Sequence, residues 1–384
     1  MKSSRPALAV AEDTRIQLFD LQRQRARLEG DIRRRMDTVL AHGQFILGPE
    51  VTQLEQKLAA FAGVGHAIGV SSGRDALTIA MMAMGVKPGD AVFVPAFTFA
   101  ASAASVVSVG ATPVFVDVLA GTFNIDPADL EHAIEETAAA GTLQPRAVMP
   151  VDLFGLPADY AAIAPIAARH GIAVLADSAQ AFGGAAGNKR VGALAPISAT
   201  SFYPTKSLGC YGDGGAILAE DADLAEKVRM IRSHGRAGDG DQALVLCLTG
   251  RLDTLQAAIL LAKLEVFGDE LVRRSAIAAR YTAALSDVVT VPRIPAGYDS
   301  AFSLYTIRVK QRDAVRERLN GLGIGTGLFY RLALHQHPAF QAYNSRHLPV
   351  SERLANEVLS LPIHPDLTDG EVERVIAAVR TAVA

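Results

Sequence analysis

SATSFYPTKSLGCYGDGGAIL, residues 198–218, places Lys206 in a glycine-rich bend between two strand-like apolar flanks. A lone lysine in such a bend can be a surface charge. The flanks argue otherwise, because they put the amine at the edge of a sheet, facing the interior. A desolvated amine binds its proton less tightly and becomes a nucleophile able to form a Schiff base. Gly209, Gly212, Gly214 and Gly215 let the backbone turn sharply and leave room for a flat molecule.

Ahead of this stretch and at its end, short apolar runs alternate with helical periods. AIGV (67–70), AVFVPA (91–96), PVFVDV (113–118), RAVMPVDLF (146–154), AVLAD (173–177) and AILAE (216–220) predict strands apolar on both faces. Strand–helix alternation of this kind predicts an α/β fold, a mostly parallel sheet covered on both sides. Upstream, residues 1–15 read as loosely structured, and IQLFDLQRQRARLEGDIRRRMDTVLAHG (16–43) as an opening helical segment that stops at Gly43. In VTQLEQKLAAFAG (51–63), Val51, Leu54, Leu58 and Phe61 recur at helical spacing.

Downstream, RLDTLQAAILLAKLEVFGDELVRRSAIAARYTAAL (251–285) has no proline and predicts one helix, or two in series. Beyond about residue 290 the order becomes a strand (LYTIRVK), a helix (DAVRERLNGLG), a loop rich in His and aromatics, and a closing helix (EVERVIAAVR). The expected division is an N-terminal arm and large domain over 1–265 and a smaller C-terminal α+β domain over 266–384.

At 384 residues, half of them hydrophobic and 20% charged, the chain can bury a large core. A net charge of -3 gives no electrostatic case for nucleic acid, and the basic cluster within QRQRARLEGDIRRR is broken by acids. The apolar runs are too short to span a bilayer, so no membrane partner is expected. Cys210 and Cys247 make no disulfide framework, no Cys/His spacing suggests a metal, and no signal peptide is evident, so the expected compartment is cytoplasmic.

Three further stretches bear on chemistry. HGIAVLADSAQAFGG (170–184) ends a buried strand in Asp177, where ligands of open α/β sheets gather. That carboxylate is either a helix cap or an ion-pair partner for a protonated pyridine nitrogen, which would make the ring an electron sink. Gln180 either reaches a cofactor hydroxyl or starts the next helix. AIGVSSGRDALTIAMMAMG (67–85) is a strand, a small polar turn and a helix, whose first N–H groups would meet a phosphate. VPAFTFAAS (94–102) puts Phe97 and Phe99 after a strand, where one can stack on a planar ring, although a phenylalanine at a strand end is more often core.

In order and spacing, these stretches resemble the DegT/DnrJ/EryC1/StrS family of nucleotide-sugar aminotransferases, which depend on pyridoxal 5'-phosphate (PLP) and have the aspartate-aminotransferase-like fold type I. The resemblance runs from about residue 16 to the C-terminus through HGQFILGPEV, SSGRDAL, PAFTFAAS, TFNIDP, PVDLFGLPADY, ADSAQAFG, SFYPTKSLGCYGDGGAI, RLDTLQAAILLAKLE and LSLPIHPDLT. It implies that Lys206 carries the cofactor as a Schiff base and shuttles the proton. It implies further that Asp177 holds the pyridine nitrogen protonated, that Gln180 faces the ring hydroxyl and that Phe99 stacks on the ring. Gly73, Arg74 and Ser201 would hold the phosphate.

HGQFILGPEV, LGCYGDGGAI and RLDTLQAAILLAKLEVF look most like members that aminate C3 of UDP-2-acetamido-2-deoxy-3-oxo-glucuronate, with glutamate as donor. C4 keto-sugar members share the same cofactor motifs. The resemblance also implies a homodimer with shared active sites.

The chain departs from the family at several points. CLTGRLD has Thr249 where an Asn often reaches the neighbouring subunit's phosphate. FSLY has Ser303 in place of a His, and YRLALH has Arg331 in place of a proline while His335 is kept. Arg331 is a candidate for a substrate carboxylate, because a guanidinium pairs with one bidentately. SHGRAGDGDQALVLCL (233–248) matches poorly. Two rival functions fall short. A PLP-dependent sugar dehydratase would carry His where Lys206 stands, and a PLP-sensing regulator would need a DNA-binding module that the residues before the match cannot hold.

Overall fold

The computed structural model describes residues 15–236 and 242–384. The stretch expected to be loose, apart from Arg15, and part of the poorly matching stretch lie outside the described residues.

Strands β1 (His66–Val70), β2 (Asp90–Pro95), β3 (Thr112–Val116), β4 (Gln144–Val148), β5 (Ala173–Asp177), β8 (Ile197–Ser201) and β9 (Gly215–Ala219) form a seven-stranded sheet in the order β1-β9-β8-β5-β4-β2-β3. β9 runs antiparallel to both its neighbours, and the rest are parallel. β6 (Ala185–Ala186), β7 (Lys189–Arg190) and β10 (Tyr298–Asp299) make a small separate sheet.

The expected double-sided burial holds residue by residue. Val92 and Val94 of β2 face the core under α3 (Gly73–Ala83) and α7 (Ala222–Arg232), while Ala91 and Phe93 face the one under α5 (Pro127–Ala140) and α6 (Tyr160–Arg169). α2 (Pro49–Ala62) and α8 (Thr254–Leu264) cover the second face of β1 and β9 through Leu54, Leu58, Leu260 and Leu261. Each such buried aliphatic side chain contributes about 1.5–3 kcal/mol by leaving water. Helix α4 (Ala100–Ser108) follows β2 directly.

Helix α1 (Leu21–His42) starts later than the sequence predicts, because the Asp20 side chain accepts from the N–H groups of Gln22 and Arg23 and caps it there. Ile16 instead bridges to Ile324 and is buried in the C-terminal core. At the far end Gly43, with φ 72°, closes α1 as expected. The 251–285 stretch is two helices in series, α8 and α9 (Phe267–Leu285), with Val266 at the break.

The C-terminal core packs α9, α10 (Arg312–Gly321) and α12 (Asp369–Val383) on an antiparallel pair, β11 (Tyr305–Arg308) and β12 (Val358–Leu361). Sequence periodicity missed α11 (Pro349–Glu357). Its cap comes from far away: Asp117 accepts from the N–H groups of Val350 and Ser351. No helix among the described residues is long and apolar enough to cross a membrane.

Candidate active site

A cavity of about 330 Å³ opens at the carboxyl ends of β2, β5 and β8, walled by Gly73, Arg74, Phe99, Asp177, Gln180, Ser201 and Lys206 among others. Seven residues singled out in the sequence therefore share one space. Phe19 from the N-terminal arm and Ser303, Leu304, Phe329 and Tyr330 from the C-terminal part close it.

Lys206 stands in a loop tied shut at its base, where Phe202 N donates to Gly214 O and Cys210 N to Phe202 O, each at 2.8 Å. Gly209 is required here, since a Cβ would lie 2.6 Å from the Pro204 carbonyl oxygen. Helix α8 holds the loop's outer side: Lys263 Nζ donates to Gly209 O at 2.6 Å, and Gln256 Oε1 accepts from Tyr211 N at 2.9 Å. Desolvation pushes the Lys206 amine down from 10.5 to about 8, with Asp177 pulling the other way. That shift multiplies the free-base fraction at neutral pH roughly 300-fold.

Asp177 ends β5 buried, 5% exposed at the cavity wall. Ser102 Oγ donates to its Oδ2 at 2.7 Å and Ala179 N to its Oδ1 at 3.2 Å. Burial raises its pKa, opposed by Ser102, Ala179 and the charge of Lys206. Behind it lies a second buried carboxylate, Asp152, which accepts from Ser178 Oγ at 2.6 Å and from Tyr160 Oη and Ala158 N at 2.8 Å each. Desolvation raises Asp152 to about 6.

At the start of α3, Ser72 Oγ caps the helix by accepting from Asp75 N at 3.0 Å. A Cβ on Gly73 would fall 2.6 Å from the Ser201 Cβ, so glycine lets the helix N-terminus approach β8. The Arg74 side chain turns away to Ser108 Oγ at 3.0 Å, which leaves its backbone at the cavity wall. The helix start and the Ser201 hydroxyl together form an anion cradle.

Gln180 is fixed at both ends. Its Oε1 accepts from Phe154 N at 2.8 Å, and its Nε2 donates to Tyr330 Oη at 2.9 Å. Phe97 is fully buried against Phe123 and Phe154, whereas Phe99 is 56% exposed at the cavity wall. Core and rim are thus divided between the two.

Thr249, Arg331 and His335 do not line the cavity. Thr249 is exposed and bridged to Ser233, and Arg331 is exposed beside Tyr330. His335 is buried 6.4 Å from the Phe115 ring with Nε2 on Glu352 Oε1 at 3.0 Å, so its bonds belong to the packing of α11. Sequence reasoning missed Ser102, Asp152 and Tyr330. Ser102 lies one helical turn beyond Phe99, which was a usable signal. Asp152 and Tyr330 reach the site only through tertiary contacts.

The model of the DegT/DnrJ/EryC1/StrS aminotransferase family matches residues 27–380. The UDP-2-acetamido-2-deoxy-3-oxo-D-glucuronate aminotransferase of Pseudomonas aeruginosa is 43% identical, over 95% of this chain and 99% of that one. A crystal structure of a DegT DnrJ EryC1 StrS aminotransferase from Brucella abortus superposes with TM-score 0.94 at 44% identity, covering 96% of this chain and all of the other. The structure of NtdA from Bacillus subtilis, which holds the cofactor PMP, superposes with TM-score 0.89 at 29% identity, covering 97% and 86%.

Proposed function

Because the chain belongs to the DegT/DnrJ/EryC1/StrS aminotransferase family, a PLP-dependent family, we propose that it transfers an amino group to C3 of a nucleotide-linked 3-oxo sugar. The substrate that best fits this reading is UDP-2-acetamido-2-deoxy-3-oxo-glucuronate, with glutamate as donor. One observation carries the chemistry: a depressed lysine, a buried carboxylate and a helix N-terminus with a hydroxyl converge in one cavity.

The residues fit the cofactor. The cradle at Gly73 is one that a Cβ would fill, and Ser303 Oγ at the cavity wall is buried with no hydrogen-bond partner among the described residues. When bound, PLP supplies an aldehyde carbon that carries the amino group and a ring that takes up the electron pair left by a departing proton. Gly73 and Arg74 N–H groups and Ser201 Oγ would hold its phosphate, Asp177 its ring nitrogen, Gln180 its ring hydroxyl and Phe99 its face.

Lys206 Nζ would be the nucleophile that anchors the cofactor. Freed by the donor amine, the same atom would move the proton at the amine-bearing carbon, a task its lowered pKa suits near neutral pH. Asp177 would hold its charge toward the ring nitrogen. Phe19, Leu304 and Phe329 line the cavity with apolar surface and exclude water.

Phe99 and Tyr203 at the cavity wall are more than half exposed, and Thr249 is exposed. Such an open aromatic rim supports a homodimer in which a second copy completes the site. Arg331, exposed beside the cavity residue Tyr330, is proposed as the contact for the sugar carboxylate.

The test is an absorbance titration of the purified, PLP-loaded protein with the UDP-linked 3-amino uronic acid, the presumed product. Conversion of the lysine-linked cofactor band to that of the amine form is expected, and none with Lys206→Ala. A protein that responds to glutamate but not to this compound acts on another sugar.

A further inference from the structure

We propose that Asp152 is a positioning residue for the reaction, a second buried carboxylate whose charge keeps the ring nitrogen facing Asp177 protonated. This rests on the reading of Asp177 given above.

The two carboxylates are locked together by the backbone. Asp152 N donates to Asp177 O and Asp177 N to Pro150 O, each at 2.9 Å. Asp177 faces the cavity; Asp152, 1% exposed, lies behind it and is not part of the cavity wall. Only neutral groups bind either carboxylate among the described residues: Ser102 Oγ and Ala179 N on Asp177, and Ser178 Oγ, Tyr160 Oη and Ala158 N on Asp152.

The charged and titratable groups facing Asp152 are Asp177 at the end of β5 and Tyr160 on α6, with Lys206 beyond Asp177. Two anions thus share one cation, and that lysine is committed to the cofactor's aldehyde. The charge missing from the set is a cation on the far side of Asp177, where the ring nitrogen would sit.

A purely structural account is weaker. Ala158 N and Tyr160 Oη share one acceptor oxygen, Oδ1, which a neutral amide would also supply without the cost of burying a charge, and Ser178 Oγ, on Oδ2, could turn to accept from the amide nitrogen. A charge kept there at the expense of stability is a charge put to use elsewhere. Desolvation agrees, having raised Asp152 from 3.8 to about 6.

The experiment compares wild type with Asp152→Asn, cofactor-free and loaded. A raised folded-state pKa contributes stability that is full below the unfolded value near 3.8 and is lost as pH rises through about 6. The cofactor-free Asp152→Asn chain should therefore gain on wild type across that window and melt no lower at neutral pH. In the loaded protein, the absorbance transition marking loss of the ring-nitrogen proton should move down by about one pH unit, because a nearby anion has gone. Turnover should fall most on the alkaline side.

Tyr160→Phe, which removes one donor and leaves Asp152 protonated more often, should shift the transition the same way by less, and carries the test if Asp152→Asn does not fold. An identical transition in wild type and variants overturns the proposal, as does an Asp152→Asn chain that is less stable and titrates unchanged. A wild type that takes up no PLP would instead sink the functional reading itself.

Discussion

Lys263 offers the sharpest energetic test. It is 1% exposed, and among the described residues its ammonium has a single hydrogen-bond acceptor, Gly209 O, plus the Tyr211 ring 4.3 Å away. Burial pushes it down from 10.5 to about 8, against the pull of Glu270 and Cys210. That depression corresponds to about 3 kcal/mol of folding free energy that the charged form forgoes. The sign follows from proton counts: between these two values the unfolded chain binds more protons than the folded one, so stability rises with pH.

Replacing Lys263 by Met keeps the volume and removes the titration. From about pH 8 to about pH 9.5, wild type should gain about 2 kcal/mol relative to Lys263→Met in guanidinium unfolding of the cofactor-free proteins. Lys206, depressed in the same way, titrates in both proteins and cancels. So do the buried tyrosines, Tyr305 being held un-ionised up to about 12. A constant difference between the two proteins over this range would refute the reasoning.

Three other outcomes are expected. Ser102→Ala removes a bond of 2.7 Å to the ionised form of Asp177 and raises its pKa further; the acid limb of kcat/KM should move up by about one pH unit. Gly73→Ala drives a Cβ to 2.6 Å from Ser201; PLP affinity, followed by fluorescence, should fall at least about tenfold, and stability by about 1–3 kcal/mol. Tyr330→Phe frees Gln180 Nε2, whose bond to Tyr330 Oη is 2.9 Å; a lost bond of about 1 kcal/mol predicts roughly fivefold lower kcat/KM, with unfolding little changed.

What the sequence revealed was whatever rests on local pattern. The unbroken apolar run of β2 announced both of its buried faces, and the bend at Gly209 marked a loop that no side chain would tolerate. Seven expected site residues shared a wall because strand ends and helix starts of an α/β sheet converge by topology. The rest depended on partners far along the chain. Asp20 stopped α1 short of Ile16, whose own partner is Ile324. Asp117 capped a helix more than two hundred residues later. His335 looked like a site residue by motif and packs under Glu352 instead. Asp152 and Tyr330 gave no periodic signal because their role lies in what they touch.

The pairing of Ile16 with Ile324, and of β1 with β9, bears on how the chain is made. On the ribosome β1 emerges early, yet among the described strands its one neighbour follows about 150 residues behind. Ile16 waits longer still, since the core that buries it includes β12 and α12, which follow it by more than three hundred residues. Synthesis therefore runs far ahead of closure. A nascent chain halted near residue 300 would hold a finished seven-stranded sheet with α1 packed on α8, and a segment around Ile16 with nowhere to dock, a state in which chaperones and proteases have their longest opportunity.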